Sequence, residues 1–142
     1  NNCIAYIKSL KDDNSSKNKL YIYDTHNQVN NYLIDLNKGV SDLQFSHCNN
    51  YISFLGYDID IVNENNDFND EALLIERFNW KSDALGIIGN SFKHLYVYDL
   101  KNLALNKLTD GQFDVGGYCW ANNSNKIAYI TNKGILVKRE TK

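Results

Sequence analysis

Short runs of alternating aliphatic and aromatic residues, separated by polar turns, recur along the chain. The runs Leu20 to Asp24 and Lys126 to Ile130 are rich in Ile, Leu and Tyr and are bounded by polar turns, which is typical of short β-strands. Asp24 to Asn27 and Asp99 to Asn102 supply the Asp and Asn residues that favour hairpin turns. Because no long segment repeats its apolar residues at the helical period, the pattern predicts an all-β fold.

One constant spacing relates two parts of the chain. The sequence Leu-Tyr-Ile-Tyr-Asp at 20–24 lies 75 residues before Leu-Tyr-Val-Tyr-Asp at 95–99. The same spacing aligns, without a gap, further pairs of residues: Leu33 with Leu108, Asp35 with Asp110, Val40 with Val115, Phe45 with Trp120, and 52–55 with 127–130. Chance matches rarely keep one spacing over several strands. We therefore interpret the strands as repeated blades of a β-propeller.

The repeat predicts a partial propeller of two to three four-stranded antiparallel blades over residues 1–142. A closed propeller needs at least about four blades, so the chain is interpreted as a fragment of one. The first predicted part is an incomplete blade over 1–39, with strands 3–7, 19–24 and 28–34. The second is a blade over 40–114, with strands 40–45, 51–56, 94–99 and 103–109. The third is a blade part over 115–142, with strands 115–120, 126–131 and 135–138.

The second blade is predicted to contain an insertion, because 75 residues exceed the roughly 40–45 residues of a plain blade. The excess lies between Gly56 and His94, whereas the matching connection of the first blade, from Lys8 to Asn18, is short. Residues 57–71 are acidic and rich in Asn, which predicts an exposed loop. Residues 72–89 are apolar enough to pack and to add strands at the blade rim, and a short helix over 70–77 is an alternative there.

Two stretches resemble a known family. The first is Glu76-Arg77-Phe78-Asn79-Trp80-Lys81-Ser82-Asp83-Ala84-Leu85-Gly86, and the second joins His94 to Leu100 with Lys107 to Val115. They resemble the propeller domain of the prolyl oligopeptidase clan, closest to its acylaminoacyl-peptidase and dipeptidyl-aminopeptidase branch. The chain departs from the family at Ala84, where Gly is usual, and at 120–124, where Trp-Ala-Asn-Asn-Ser replaces Trp-Ser-Pro-Asp-Gly.

The resemblance implies a function that depends on a parent protein. In this family the propeller covers a separate α/β-hydrolase domain, which contains the catalytic Ser, Asp and His, and it restricts entry to peptides. The chain is therefore predicted to be non-catalytic, with the hydrolase domain, the remaining blades and a peptide substrate as partners. The alternative is a stand-alone TolB-like or WD40-like propeller that acts as a protein-interaction module, since the hairpin motifs alone also fit such propellers.

Three residues of the first stretch form the predicted substrate contact. Arg77 beside Trp80 and Lys81 could bind a peptide carboxylate or carbonyl through the guanidinium and the aromatic ring. The alternative, which the residue pattern favours, is that the two cations pair with carboxylates such as Asp83 while the indole packs. Four aromatic residues are predicted to form the structural core of the blades: Phe45, Trp120, Tyr96 and Tyr98.

Other polar residues are expected to be structural. Gly89-Asn90-Ser91 lacks the final Gly of a hydrolase nucleophile motif, so Ser91 is predicted not to be a nucleophile. For His94 a structural hydrogen bond is favoured over a substrate contact. The acidic residues between Asp58 and Glu71 lack the Gly and Glu of a calcium-binding EF-hand loop, so no metal and no cofactor is predicted.

Composition narrows the expected partners. The formal net charge of -2 gives no basic surface for nucleic acid, and no apolar run approaches the roughly 18 residues that cross a membrane. The chain shows no signal-peptide pattern, and its three cysteines have no Cys-x-x-Cys spacing. Half-buried free thiols and a cytoplasmic location are therefore expected. Exposed strand edges could also lead to self-association of the fragment.

Overall fold

The computed structural model describes residues 2–12, 15–36, 39–57, 81–82, 86–87 and 91–132. All regular elements in these ranges are β-strands, and they form several antiparallel sheets that do not close into a ring. The all-β fold class, a partial propeller, is thereby confirmed. The strands are β1 (Cys3–Asp12), β2 (Ser15–Asp24), β3 (Val29–Leu36), β4 (Ser41–Phe45), β5 (Tyr51–Tyr57), β6 (Lys81–Ser82), β7 (Gly86–Ile87), β8 (Lys93–Asp99), β9 (Ala104–Lys107), β10 (Val115–Trp120) and β11 (Ile127–Thr131).

Three sheets follow one another along the chain. The first sheet contains β1, β2 and β3 in that order, the second contains β4, β5, β8 and β9, and the third contains β10 and β11. The second sheet thus has the four antiparallel strands of a complete blade. Its third strand comes after residues 58–80 and after the separate antiparallel pair β6–β7, in which Lys81 lies opposite Ile87. The division into blade parts at residues 39 and 114 stays a prediction.

The largest correction concerns the first hairpin. The segment from Lys8 to Asn18 was predicted as a connection, but β1 continues to Asp12 and β2 begins at Ser15, in register throughout. The segment consists mainly of Lys, Ser, Asn and Asp, so it lacks the alternating apolar residues by which a strand is predicted. Antiparallel backbone pairing continues through this polar segment. Residues 135–138, the last predicted strand, lie outside the described residues.

The 75-residue spacing is visible in the backbone itself. Gln28 and Leu103 have positive φ values of 56° and 54°, and Asn49 and Ser124, again 75 residues apart, have 60° and 57°. Hydrogen bonds repeat as well: Ser46 N donates to the Tyr51 carbonyl, as Ala121 N does to the Lys126 carbonyl. Left-handed backbone is uncommon for residues other than Gly. Because this conformation recurs at the same 75-residue spacing, the repeat is present in the backbone structure as well as in the sequence.

The Asp residues of the two predicted turns bind their turns in the same way. Oδ1 of Asp24 accepts hydrogen bonds from His26 N (2.9 Å) and Asn27 N (3.2 Å), and its Oδ2 accepts one from the Asn27 side chain (2.7 Å). Asp99 accepts the equivalent three bonds, at 2.8, 3.0 and 2.7 Å, from Lys101 and Asn102. These bonds to ionised carboxylates hold the pKa of both Asp residues below its usual value.

Each side of the second sheet packs against a neighbouring sheet, because successive side chains of a strand point to opposite faces. One cluster joins it to the first sheet through buried Leu20, Leu36, Ile52, Phe54, Tyr96 and Tyr98, with half-buried Phe45 against them. A second cluster joins it to the third sheet through buried Leu55, Leu95 and Val115, with half-buried Ile127. No helix within the described residues has the length and apolar character needed to span a membrane.

The cysteines differ from the expectation in exposure. Cys3, Cys48 and Cys119 are free. Only Cys3 is half-buried, and the prediction of half-buried thiols is wrong for the other two. Cys48 lies in the exposed turn between β4 and β5, and Cys119 lies on an exposed position of β10. Among the described residues, no element covers either position.

Candidate functional site

Most of the buried polar side chains among the described residues lie where the second and third sheets meet: Ser46, Ser53, His94, Thr109 and Ser124. This region, termed the seam, consists of the corner that leads from β9 into β10 and of the turns at the ends of β4 and β10. One part of the family resemblance, residues 107–115, forms the corner.

The corner is built around a buried histidine. The His94 side chain is completely buried, and its Nδ1 lies 3.2 Å from the Thr109 hydroxyl oxygen. The same oxygen accepts a hydrogen bond from Leu95 N at 2.9 Å. The Phe113 ring meets the imidazole edge to face, with 5.6 Å between centroids. His94 therefore forms the structural hydrogen bond that was favoured over a substrate contact.

A second polar group connects the corner to both sheets. Asp114 accepts a hydrogen bond from Lys93 N (2.9 Å) with its side chain and donates its own backbone N–H to the Asn132 side chain (2.7 Å). Between these groups, Gly111 has φ +114°, a value that side chains disfavour. The motif from Thr109 to Asp114 thus specifies the path of the chain from one sheet to the next.

The aromatic part of the seam joins the two sheets directly. The Trp120 indole N–H donates to the hydroxyl of fully buried Ser53 at 2.7 Å, and its ring stacks on Tyr51, with 6.0 Å between centroids and 18° between planes. The Tyr118 hydroxyl donates to the Asp42 carbonyl oxygen. Burial raises the pKa of Tyr118 to about 12, because the phenolate would lose its solvation. These contacts give the seam a fixed geometry.

A cysteine that the sequence did not single out lies at the exposed end of the seam. Cys48 N donates to the Ser124 hydroxyl at 2.8 Å, which joins the turn of the second sheet to that of the third. The Ser46 hydroxyl lies 3.4 Å from the Cys48 sulfur. Hydrogen bonding from Ser46, with smaller effects of Asn50 and Ser124, lowers the pKa of this thiol. No pattern in the sequence indicated this contact.

The predicted substrate contact is not assembled by the described residues. Arg77 and Trp80 lie outside them, as do the acidic loop, the alternative helix over 70–77, and Gly89 and Asn90. Lys81 begins β6, where its backbone pairs with Ile87. Ser91 is described and is buried. The substrate contact therefore stays a prediction, and in the described parts of the chain no three His, Cys, Asp or Glu residues are grouped to bind a metal.

The four residues predicted as blade core are all described. Tyr96 and Tyr98 are buried in the cluster between the first and second sheets. Phe45 is half-buried against the same cluster, whereas its repeat equivalent Trp120 is half-buried in the seam. The larger indole therefore faces the second sheet and contributes a hydrogen bond that Phe45 cannot make.

Comparison with known proteins supports the fold. No family model and no curated protein matches the chain. Solved structures do match, and one of them is the β-propeller domain of the Trilobed protease from Pyrococcus furiosus, described as having an open velcro topology. The TM-score is 0.54 at 16% sequence identity, over 91% of this chain and 31% of that one. The chain is thus similar in fold to part of a propeller, and it spans about a third of the matched chain.

Proposed function

We propose that the chain is the non-catalytic propeller portion of a serine peptidase of the acylaminoacyl-peptidase or dipeptidyl-aminopeptidase type. In this role it limits the access of substrates to a separate α/β-hydrolase domain. The main supporting observation is that the partial propeller has the fold of a propeller domain from a protease. The sequence resemblance of 76–86 and 94–115 to the prolyl oligopeptidase clan points in the same direction.

The described polar groups suit a supporting role better than catalysis. A hydrolase needs a base that can reach both a nucleophile and the substrate. His94 is completely buried and contacts Thr109 and Phe113, and Asp114 bonds to the backbone of Lys93. Both side chains thus fix the corner between two sheets. The proposed partners are the hydrolase domain, the remaining blades and a peptide, and the proposed location is the cytoplasm.

The first test is the activity of the purified chain. It is expected to hydrolyse neither aminoacyl nor acyl-aminoacyl p-nitroanilides and to resist labelling by a fluorophosphonate probe. Ser91→Ala serves as the control for trace peptidases from the expression host. Activity that persists through purification and disappears in Ser91→Ala would contradict the non-catalytic role.

The second test addresses gating in a polypeptide that joins the chain to a hydrolase domain. Trp120→Ala loosens the seam and is expected to raise kcat/KM for long peptides relative to a dipeptide substrate. Leu103→Ala, at a 69% exposed turn residue, is the control and is expected to leave the ratio unchanged. Equal changes for both substrates would argue against gating. A polypeptide with further blades and no G-x-S-x-G motif would instead indicate the stand-alone interaction module.

A further inference from the structure

The repeat places a different residue at one equivalent position of the first and second sheets. Ser53 of β5 pairs with Val97, as Ala5 of β1 pairs with Ile22, and Val97 and Ile22 lie 75 residues apart. Both positions are turned toward the sheet that follows, because Ala5 packs against the cluster between the first and second sheets and Ser53 bonds to the third sheet. The second sheet therefore presents a hydroxyl where the first presents a methyl group.

The residues that meet this position differ in a matching way. Phe45 and Trp120, 75 residues apart, each end the first strand of their sheet. The Trp120 indole N–H donates to the Ser53 hydroxyl at 2.7 Å. Phe45 has no donor, and like Ala5 it is half-buried against the cluster between the first and second sheets. The donor thus meets the hydroxyl, and the ring without a donor belongs to the contact that contains the methyl group.

A second position of the same two strands is divided in the same way. The Tyr118 hydroxyl of β10 donates to the Asp42 carbonyl oxygen of the second sheet. Its equivalent 75 residues earlier is Leu43, which has no donor and packs against the cluster between the first and second sheets. The third sheet therefore contacts its neighbour through a hydrogen-bond donor at two positions where the second sheet uses apolar side chains.

Exchanged partners would leave buried polar groups unsatisfied. Against Ala5, the Trp120 indole would find a methyl group in place of its acceptor. Against Phe45, the Ser53 hydroxyl, which is 0% exposed, would keep only its own bond to the Gln44 carbonyl oxygen at 3.3 Å. A buried polar group without its partner is costly, and a wrong partner is rejected when binding it creates such a group.

We infer that the pairs Trp120–Ser53 and Phe45–Ala5 are specificity determinants that decide which sheets pack against each other. They direct the third sheet to the second and exclude it from the first, within one chain and between copies. Sheets built from one repeat are similar enough to exchange, and misassembly and domain swapping are characteristic failures of repeat proteins. Fixing register is the best-attested role of buried polar groups. The inference rests on the fold and is independent of the peptidase role.

The first test transfers the hydrogen-bonded pair to the other contact. Phe45→Trp gives the second sheet an indole N–H without an acceptor and is expected to raise the equilibrium constant of unfolding in urea at least about tenfold. Adding Ala5→Ser supplies the acceptor and is expected to reverse at least about threefold of that change. Relief of crowding does not explain such a recovery, because Ser is larger than Ala. Ala5→Ser alone is the control and is expected to destabilise the chain, since its hydroxyl meets no donor.

Hydrogen exchange of the indole N–H reports the transferred bond directly. The additional indole proton of Phe45→Trp is expected to exchange quickly in deuterated water, and adding Ala5→Ser is expected to slow this exchange at least about tenfold. The Trp120 proton serves as the internal reference. A double variant that recovers neither stability nor protection of the new proton overturns the inference.

The second test measures selection between copies. Ser53→Ala combined with Ala5→Ser moves the hydroxyl to the first sheet, so the Trp120 surface of one copy gains an acceptor on another copy. Sedimentation velocity after refolding is expected to show at least about threefold more oligomer for this double variant than for Ser53→Ala alone. Equal amounts of oligomer contradict the proposed selection. The first test leaves Ser53 and Trp120 in place, so it does not depend on the folding of this variant.

Discussion

The bond between Trp120 and Ser53 offers a quantitative test of the seam. The Ser53 hydroxyl accepts from the indole N–H at 2.7 Å and donates to the Gln44 carbonyl oxygen at 3.3 Å, and the Ser53 residue is completely buried. Trp120→Phe keeps an aromatic ring beside Tyr51 but removes the N–H donor. The buried hydroxyl oxygen then loses the indole as its hydrogen-bond donor.

The expected cost follows from the buried oxygen. A typical hydrogen bond contributes about 1 kcal/mol net, and a buried polar group left without its partner costs about 1–3 kcal/mol. We expect Trp120→Phe to lower the free energy of unfolding by about 1–2 kcal/mol. Trp120→Ala also loses the stack on Tyr51 and is expected to cost about 3 kcal/mol, the low end for aromatic truncation, because the indole is only half-buried.

Urea unfolding followed by far-UV circular dichroism measures these costs without relying on tryptophan fluorescence. A double-mutant cycle of Trp120→Phe and Ser53→Ala is expected to give a coupling free energy of about 1 kcal/mol at unchanged m-values. Leu103→Ala, at an exposed turn, is expected to stay within about 0.5 kcal/mol of the wild type. If the two single costs simply add, the bond does not join the sheets and the reasoning fails.

Three further predictions concern a turn, the corner and the exposed thiol. Folding lowers the pKa of Asp99 below 3.8. The ionised side chain therefore stabilises the folded chain above pH 3.8, and this stabilisation is lost as the pH falls through the folded-state pKa. The Asp99→Asn variant keeps a hydrogen-bond acceptor but does not titrate, so its free energy of unfolding, measured by urea titration, should fall less than that of the wild type between about pH 7 and pH 3. Gly111→Ala, at φ +114° with a Phe113 ring carbon 3.3 Å from the new Cβ, should cost about 1–3 kcal/mol in thermal unfolding, whereas Gly117→Ala, with nothing within 4 Å, should be tolerated far better. Mass spectrometry of iodoacetamide adducts at pH 7 should show Cys48 reacting first of the three cysteines, and Ser46→Ala should remove that preference, because the Ser46 hydroxyl lowers the thiol pKa; an unchanged order of reaction would contradict the assigned role of Ser46.

The repeat predicted the fold class because residues at equivalent positions of the repeat adopt the same local conformation. One spacing aligned Asp24 with Asp99 and Asn49 with Ser124, and both pairs adopt the same turn or the same left-handed backbone. The strand from Lys8 to Asp12 was missed because its residues are mostly polar, although its backbone pairs with β2. Apolar alternation detects only strands that cover a core.

The contacts of the seam could not be predicted in the same way. Trp120 bonds to Ser53, which lies 67 residues away in the sequence, and Cys48 bonds to Ser124, which lies 76 residues away. Such pairs depend on how one sheet is rotated against the next. The residue types in these pairs do not indicate that rotation. The burial of His94 likewise follows from the return of the chain through Thr109. Sequence patterns singled out Trp120 and His94 but not Ser53 or Ser124, and the structure was needed to show which residues bond to one another.

Two kinds of sequence signal in this chain describe different properties. His94, Thr109 and Asp114 contribute to the family resemblance, and all three form hydrogen bonds inside the corner. Thr109 bonds to His94 and to the backbone of Leu95, and Asp114 bonds to the backbone of Lys93. In this chain these bonds fix the path from one sheet to the next. This half of the resemblance therefore supports the fold, while the peptidase role depends on 76–86 and on a hydrolase partner. Substitutions at Arg77 separate the two alternatives: altered substrate selection in a joined polypeptide would support the substrate contact, and unchanged selection would support pairing with carboxylates such as Asp83. Thr109→Ala, which removes the hydroxyl that contacts His94 and Leu95, is expected to lower the free energy of unfolding.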